Sequence, residues 1–240
     1  MRALHIAFSV ALPLAALAAA PVARADTDTA DADDARIASH HDEVSFGGAA
    51  RALRSPSANA LTAANLAGVS VGLARDLGHD LGFSPLPGVA VWAEAGFVTG
   101  SASGMMFQAL STTIEQIGIT AGLAARYRIH RRIIASAHGA LGAQRARVAI
   151  TDNAGGFAYD HGWGATAQAS AALDVFITTP PHHFGLGLRV EAGYVAAQGI
   201  ALTLHNDRDD GAALLAMQQL SIGHLDLSGP TAALSLLGQF

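Results

Sequence analysis

Thr231-Ala232-Ala233-Leu234-Ser235-Leu236-Leu237-Gly238-Gln239-Phe240 ends the chain. Every second residue counted back from Phe240 is apolar or small: Phe240, Gly238, Leu236, Leu234, Ala232. The residues between them, Gln239, Leu237, Ser235, Ala233 and Thr231, mix apolar groups with hydroxyls and an amide. Successive side chains of a strand leave opposite faces, so this period of two predicts a strand with one wholly greasy face.

The same period recurs upstream. Alternation predicts strands over 44–53, 64–77, 88–100, 114–129, 132–150, 163–178, 183–204 and 217–240. Turn signals separate them. These are Ser55-Pro56-Ser57-Ala58-Asn59, the Gly- and Pro-containing stretch 78–87, His130-Arg131, Asp152-Asn153-Ala154-Gly155-Gly156, Thr179-Pro180-Pro181-His182 and the polar run 206–211. Residues 101–112 read as a flexible connection, and a change of parity near Gly229-Pro230 predicts a bulge there.

What lies opposite the apolar face decides the fold class. In the seventh segment Phe184, Leu186, Leu188, Val190, Ala192 and Tyr194 oppose Gly185, Gly187, Arg189, Glu191 and Gly193. In the fourth, Ile117, Ile119, Ala121, Leu123, Ala125 and Tyr127 oppose Gly118, Thr120, Gly122, Arg126 and Arg128. A soluble sheet turns one face to water and fills it with Lys and Glu. Here that face holds Gly, Ser, Thr, Gln and isolated charges, which suits the inside of a narrow cylinder. The prediction is an all-β, antiparallel, up-and-down transmembrane β-barrel of eight strands, apolar outward and polar inward.

Composition agrees. The chain has 240 residues, 51% hydrophobic, and only 14% charged, with a net charge of −5. A soluble domain carries about 25% charged residues. After position 25 no run approaches the roughly 20 apolar residues of a membrane helix. There is no Cys, so disulfides and thiolate metal sites are excluded.

Residues 1–25 read as a signal peptide: Arg2 at the start, an apolar core over 3–20, and cleavage after Ala23-Arg24-Ala25. Residues 26–43 (DTDTADADDARIASHHDE) form an acidic leader with almost no large apolar side chains, and are expected to be disordered. His40-His41-Asp42-Glu43 lacks metal-site spacing. The barrel is assigned to 44–240.

An even strand number returns both ends of the barrel to one side. With Phe240 at the inner rim, 78–87, His130-Arg131 and Pro180-Pro181 fall there too. The longer connections 101–112, 151–162 and 205–216 then fall outside, which is the known asymmetry of membrane barrels. Tyr127, Phe184 and Phe240 would line the inner water boundary, Phe97 and Trp163 the outer one. Ile133 to Ala143 spans ten steps, which at about 3.3 Å each and a tilt near 40° covers roughly 25 Å.

The signal peptide, the alternating strands and terminal Phe240 together resemble the small eight-stranded outer-membrane barrels of Gram-negative bacteria, the OmpA-like and OmpX-like group. The resemblance spans about 44–240 and rests on pattern rather than on a residue-specific motif. It implies an outer-membrane location, insertion by the barrel-assembly machinery and contact with outer-membrane lipid and lipopolysaccharide. The long acidic leader departs from the group, and the cell-wall tethering of full OmpA-type proteins is not implied.

Candidate site residues are the inward charges Glu94, Arg126, Arg128, His138, Asp174, Arg189 and Glu191. Charges inside a narrow barrel must be paired, and both signs are present. Eight strands leave an interior just wide enough for side chains. A plugged lumen with a structural or surface-interaction role is therefore expected; a narrow pore, or a barrel carrying a small hydrophobic ligand or lipid, is the alternative. Arg145 and Arg147 continue the outward face past Ala143, where two guanidiniums can bind lipopolysaccharide phosphates. A lipid-modifying enzyme would need a Ser beside a His base. His138 is followed by Gly139 and Ala140 rather than by a His-x-Ser pattern, and Ser221 and His224 stand on opposite faces. No catalytic residue, cofactor, metal site or nucleic-acid patch is predicted.

Overall fold

The computed structural model describes residues 41–63, 65–81, 88–106, 110–152, 156–178, 184–206 and 219–240. The expected signal peptide, the leader up to His40 and the Pro180-Pro181 turn lie outside them. Ten strands are present among the described residues. They are β1 (Asp42–Arg51), β2 (Leu66–Asp76), β3 (Val89–Met106), β4 (Leu110–His130), β5 (Ile133–Asp152), β6 (Phe157–Phe176), β7 (Gly185–Ala197), β8 (Ile200–Asn206), β9 (Gln219–Leu225) and β10 (Gly229–Gln239). Two short helices, α1 (Pro56–Leu61) and α2 (Leu77–Leu81), sit in connections.

Eight strands close a ring. Each of β1 to β6 pairs antiparallel with the next, β7 pairs with β10, and β10 returns to β1. The closing seam runs from Glu43↔Gln239 to Arg51↔Thr231, and the deciding stretch of sequence is β10 itself. The predicted up-and-down ring of eight is what the chain forms. Closure leaves no strand edge without a partner.

The remaining pair, β8 and β9, was not anticipated. The expected seventh strand breaks at Gln198-Gly199, and the eighth breaks at Asp226-Leu227-Ser228. Each loses its outer part to a separate hairpin that continues past the end of the β7–β10 pair. β8 folds onto the start of β6, with Tyr159↔His205 in register. The parity change near Gly229-Pro230 is thus a break between two strands, not a bulge within one. Gly162 and Gly164 permit the fold-over: a Cβ on Gly162 would stand 2.4 Å from Ile200 Cγ2, and one on Gly164 2.8 Å from the Gln198 carbonyl.

Two expected outer connections are mostly strand. β3 and β4 pair from Val89↔Tyr127 out to Met106↔Leu110, so most of 101–112 is ladder. β5 and β6 likewise pair out to Thr151↔Phe157, within the expected loop 151–162. Alternation there persists with its polarity reversed, which is why it read as irregular. β1 begins at Asp42, two residues ahead of the assigned barrel start, with Asp42↔Arg75 paired to β2.

The interior therefore has two tiers. The outer one is a dry apolar core of Leu53, Leu61, Leu66, Ile114, Val148, Ile150, Leu202, Leu225 and Leu227 with their neighbours. This corrects the expectation of a polar lumen throughout. Helix α1 closes it. Ser55 caps that helix by accepting from Ala58 N at 3.1 Å, and Pro56 sits at the first helical position, where no N–H is needed. Thr62 Oγ1 donates to the Ser103 carbonyl at 3.0 Å, and Asp226 N donates to Ser57 Oγ at 3.2 Å, fixing the helix between β3 and the β9–β10 link.

The outer surface has two tiers as well. Phe46, Leu73, Ile119, Leu123, Leu141, Leu173, Val190, Leu234 and Leu236 all project outward and exposed, Leu141 at 70%. Above them the outward positions become Glu115 on β4, Arg145 and Arg147 on β5, and His161 on β6. Tyr127 is half-buried; Phe97, Trp163, Phe184 and Phe240 are exposed.

Candidate functional site in the lumen

The inner tier holds one connected ionic network. Arg126 on β4 donates to both oxygens of Glu43 on β1, at 2.6 and 2.9 Å, a bidentate pair across the barrel. Its Nη2 also reaches Glu94 Oε1 on β3 at 3.1 Å, and its guanidinium lies 4.1 Å from the Trp92 ring. Arg189 on β7 meets Glu43 Oε1 at 3.0 Å and grips Asp174 on β6 through two bonds of 2.7 and 2.8 Å. Gln239 on β10 donates to Glu43 Oε2 at 2.9 Å. Glu43 is thus the hub between two arginines, each of which holds a second carboxylate.

Alternation explains why these side chains converge. Glu43, Ser45, Gly47, Ala49 and Arg51 share one parity of β1, and that parity faces inward. Assigning Glu43 to a disordered leader missed the hub. The signal available was the run of alternation itself, which extends back through Val44 to Asp42 without interruption.

Of the seven predicted inward charges, Arg128 is half-buried opposite Ile134, and five join this network: Glu94, Arg126, His138, Asp174 and Arg189. Glu191 does not. It accepts from Ser170 Oγ at 2.6 Å and Gln168 Nε2 at 3.3 Å, further along the lumen. Arg145 and Arg147 face outward, with β4 and β5 in continuous register beside them. Arg147 pairs with Glu115 at 3.3 Å and lies over the Tyr159 ring at 5.3 Å. Arg145 stands opposite Trp163, and Trp163 is exposed.

His138 is held at both nitrogens. Nδ1 lies 2.7 Å from Glu94 Oε2, and Nε2 lies 2.7 Å from Ser136 Oγ. A carboxylate only accepts, so Nδ1 donates and Nε2 is left to take the Ser136 proton in the neutral ring. Ser136, His138 and Glu94 therefore have the connectivity of a nucleophile, base and orienting acid. The sequence reading looked for His followed by Ser and passed over the reverse order, Ser136-x-His138. Yet Ser136 is only 1% exposed, and Glu94 is shared with Arg126. A substrate carbonyl has no approach to Ser136 Oγ. The three residues act as a hydrogen-bonded strut between β3 and β5.

Between the ionic network and the apolar cap remains a cavity of about 180 Å³, walled by Glu43, Arg51, Gln116, Thr120, His138 and Glu191 among others. At about 10–15 Å³ per water it has room for roughly a dozen waters. The lumen is thus not packed solid. At the inner turn, outside the ring, Arg75 donates to Asp80 at 2.6 Å and holds that carboxyl below its ordinary range. His41 and His79 stack there at 3.5 Å.

Ring, greasy exterior and ion-paired interior define a closed eight-stranded up-and-down barrel. No protein-family model matches the chain, and no curated protein sequence matches it. Among solved structures it is similar to Ail, the attachment invasion locus protein of Yersinia pestis. That match has 13% identity and a TM-score of 0.45 over 84% of this chain and 99% of that one. A second structure of Ail, in complex with the heparin analogue sucrose octasulfate, gives 14% identity and a TM-score of 0.44 over the same shares.

Proposed function

We propose that this chain is an outer-membrane barrel with an obstructed lumen, serving a structural or surface-interaction role in the cell envelope and catalysing no reaction. One observation carries the reading. Polarity reverses on both faces of the sheet within a narrow band of the wall. On β4 the outward residues change from Ile117 to Glu115, on β5 from Ala143 to Arg145, and on β6 from Trp163 to His161. These positions are neighbours in register: Ile117↔Arg145↔Trp163, then Glu115↔Arg147↔His161. Further out, past the buried Gln116 and Gln144, the inward residues change from Gly118, Gly142 and Gly164 to Ile114, Val148 and Ala158. Above the band the sheet obeys the soluble rule, apolar in and polar out; below it the rule is inverted. A water boundary lying across the barrel wall produces that reversal.

Arg145 and Arg147 lie within this band, beside Trp163 and Tyr159. Lipopolysaccharide phosphates at the boundary are the natural acceptors for these guanidiniums. The Arg147–Glu115 pair is exposed and screened, so it is exchangeable for a phosphate. The cavity gives the alternative, a narrow path or a ligand-holding barrel, its observational basis.

The test is fractionation followed by electrophoresis of unheated and boiled outer membrane. The folded barrel is expected in the outer-membrane fraction, migrating apart from its boiled form. Recovery as a soluble periplasmic monomer without detergent contradicts the proposal. Lipopolysaccharide co-purifying with the protein is expected to fall when Arg145→Gln and Arg147→Gln are combined; unchanged association removes the phosphate contact.

A further inference from the structure

Arg51 is the buried cation that the ionic network leaves out. It is 8% exposed and ends β1 where the charged tier meets the apolar cap. Its described hydrogen bonds both run from Nη1, to Gln144 Oε1 and to the Leu227 carbonyl, each at 3.2 Å, and both acceptors are neutral. Arg51 Nε and the neighbouring Gln144 Nε2 are buried donors without a partner among the described residues. Arginine cannot shed its charge by deprotonation. A buried charge without a counter-charge is expensive, and so are orphaned donors. Glu191, also on the cavity wall, is taken by Ser170 and Gln168 and forms no ion pair with Arg51. Glu43, Glu94 and Asp174 are committed to Arg126 and Arg189.

The cavity adjoins Arg51 and has space for a guest of a few heavy atoms. We propose that the lumen holds a small-anion site, in which a monovalent anion such as chloride or formate accepts from the Arg51 guanidinium where it borders the cavity. The anion supplies the missing counter-charge. The volume of the chamber favours an anion of a few heavy atoms over a bulkier one. The site does not depend on where the barrel resides, so its failure leaves the envelope reading standing, and the reverse also holds.

The probes are chloride, formate and bromide, used on the full chain folded in detergent. At constant ionic strength, exchanging gluconate for chloride should raise the unfolding midpoint saturably. The rise should be about 3–6 °C at ten times the dissociation constant. Arg51→Gln should abolish the response, and Glu191→Gln should tighten binding several-fold by removing the facing negative charge. Anomalous scattering from bromide-soaked crystals should locate an ion on the Arg51 guanidinium. An equal response to gluconate and chloride, or bromide at exposed residues only, overturns the proposal: the chamber then holds water. Should Arg51→Gln fail to fold, the bromide position and the Glu191→Gln affinity decide the matter alone.

Discussion

Glu43 shows how much one side chain can organise. It meets two guanidiniums and an amide from three other strands, and is almost wholly buried. Truncating one partner of such a cluster leaves the others charged and desolvated. Glu43→Leu is therefore expected to cost about 3–5 kcal/mol in reversible unfolding by guanidinium. Glu115→Gln, whose pair with Arg147 is exposed, should cost under about 1 kcal/mol. Equal effects would contradict the ranking. Leu141 offers the complementary test on the outside. In a bilayer Leu141→Arg should cost about 2–4 kcal/mol, whereas a water-facing position would tolerate it. Five of the seven inward charges named from the sequence were legible as network members because parity and charge alone identify an inward ion. Glu43 was hidden by its acidic neighbours upstream, and the Arg51 site by the absence of any residue pattern that announces an unpaired ion.

At the scale of elements, the β8–β9 hairpin and α1 are soluble-type pieces seated in a barrel. They stay because Leu202, Leu225, Leu227 and Leu61 bury against Ile114, Val148 and Ile150. Leu227→Ala, at a site with no measurable exposure, should cost about 2–5 kcal/mol. Gly162→Val should displace β8 from β6, since the added atoms occupy the space of Ile200. Amide exchange would then rise in β8 and β9 while the ring strands keep their protection; uniform protection would refute the fold-over. The seven inner segments and β10 were readable from a single rule of alternation. The outer third was not, because the same rule changes sign there. A reader carrying one parity through β5 meets Arg145 and Arg147 where apolar residues are expected, and must choose between a bulge and a change of solvent. The ladder continues unbroken, which supports the proposed change of solvent.

For the whole molecule the central claim is that one narrow band of the barrel wall separates two surroundings. The chain has no Cys, so single cysteines give unambiguous reporters. Spin labels at Leu141→Cys, Ala143→Cys, Arg145→Cys and Arg147→Cys, in the full chain inserted into phospholipid vesicles, test the band directly. Relaxation by oxygen, which partitions into lipid, should dominate at 141 and 143. Relaxation by a water-soluble nickel chelate should dominate at 145 and 147. Four labels all relaxed by the chelate would mean that the greasy face meets water, and the account would be wrong.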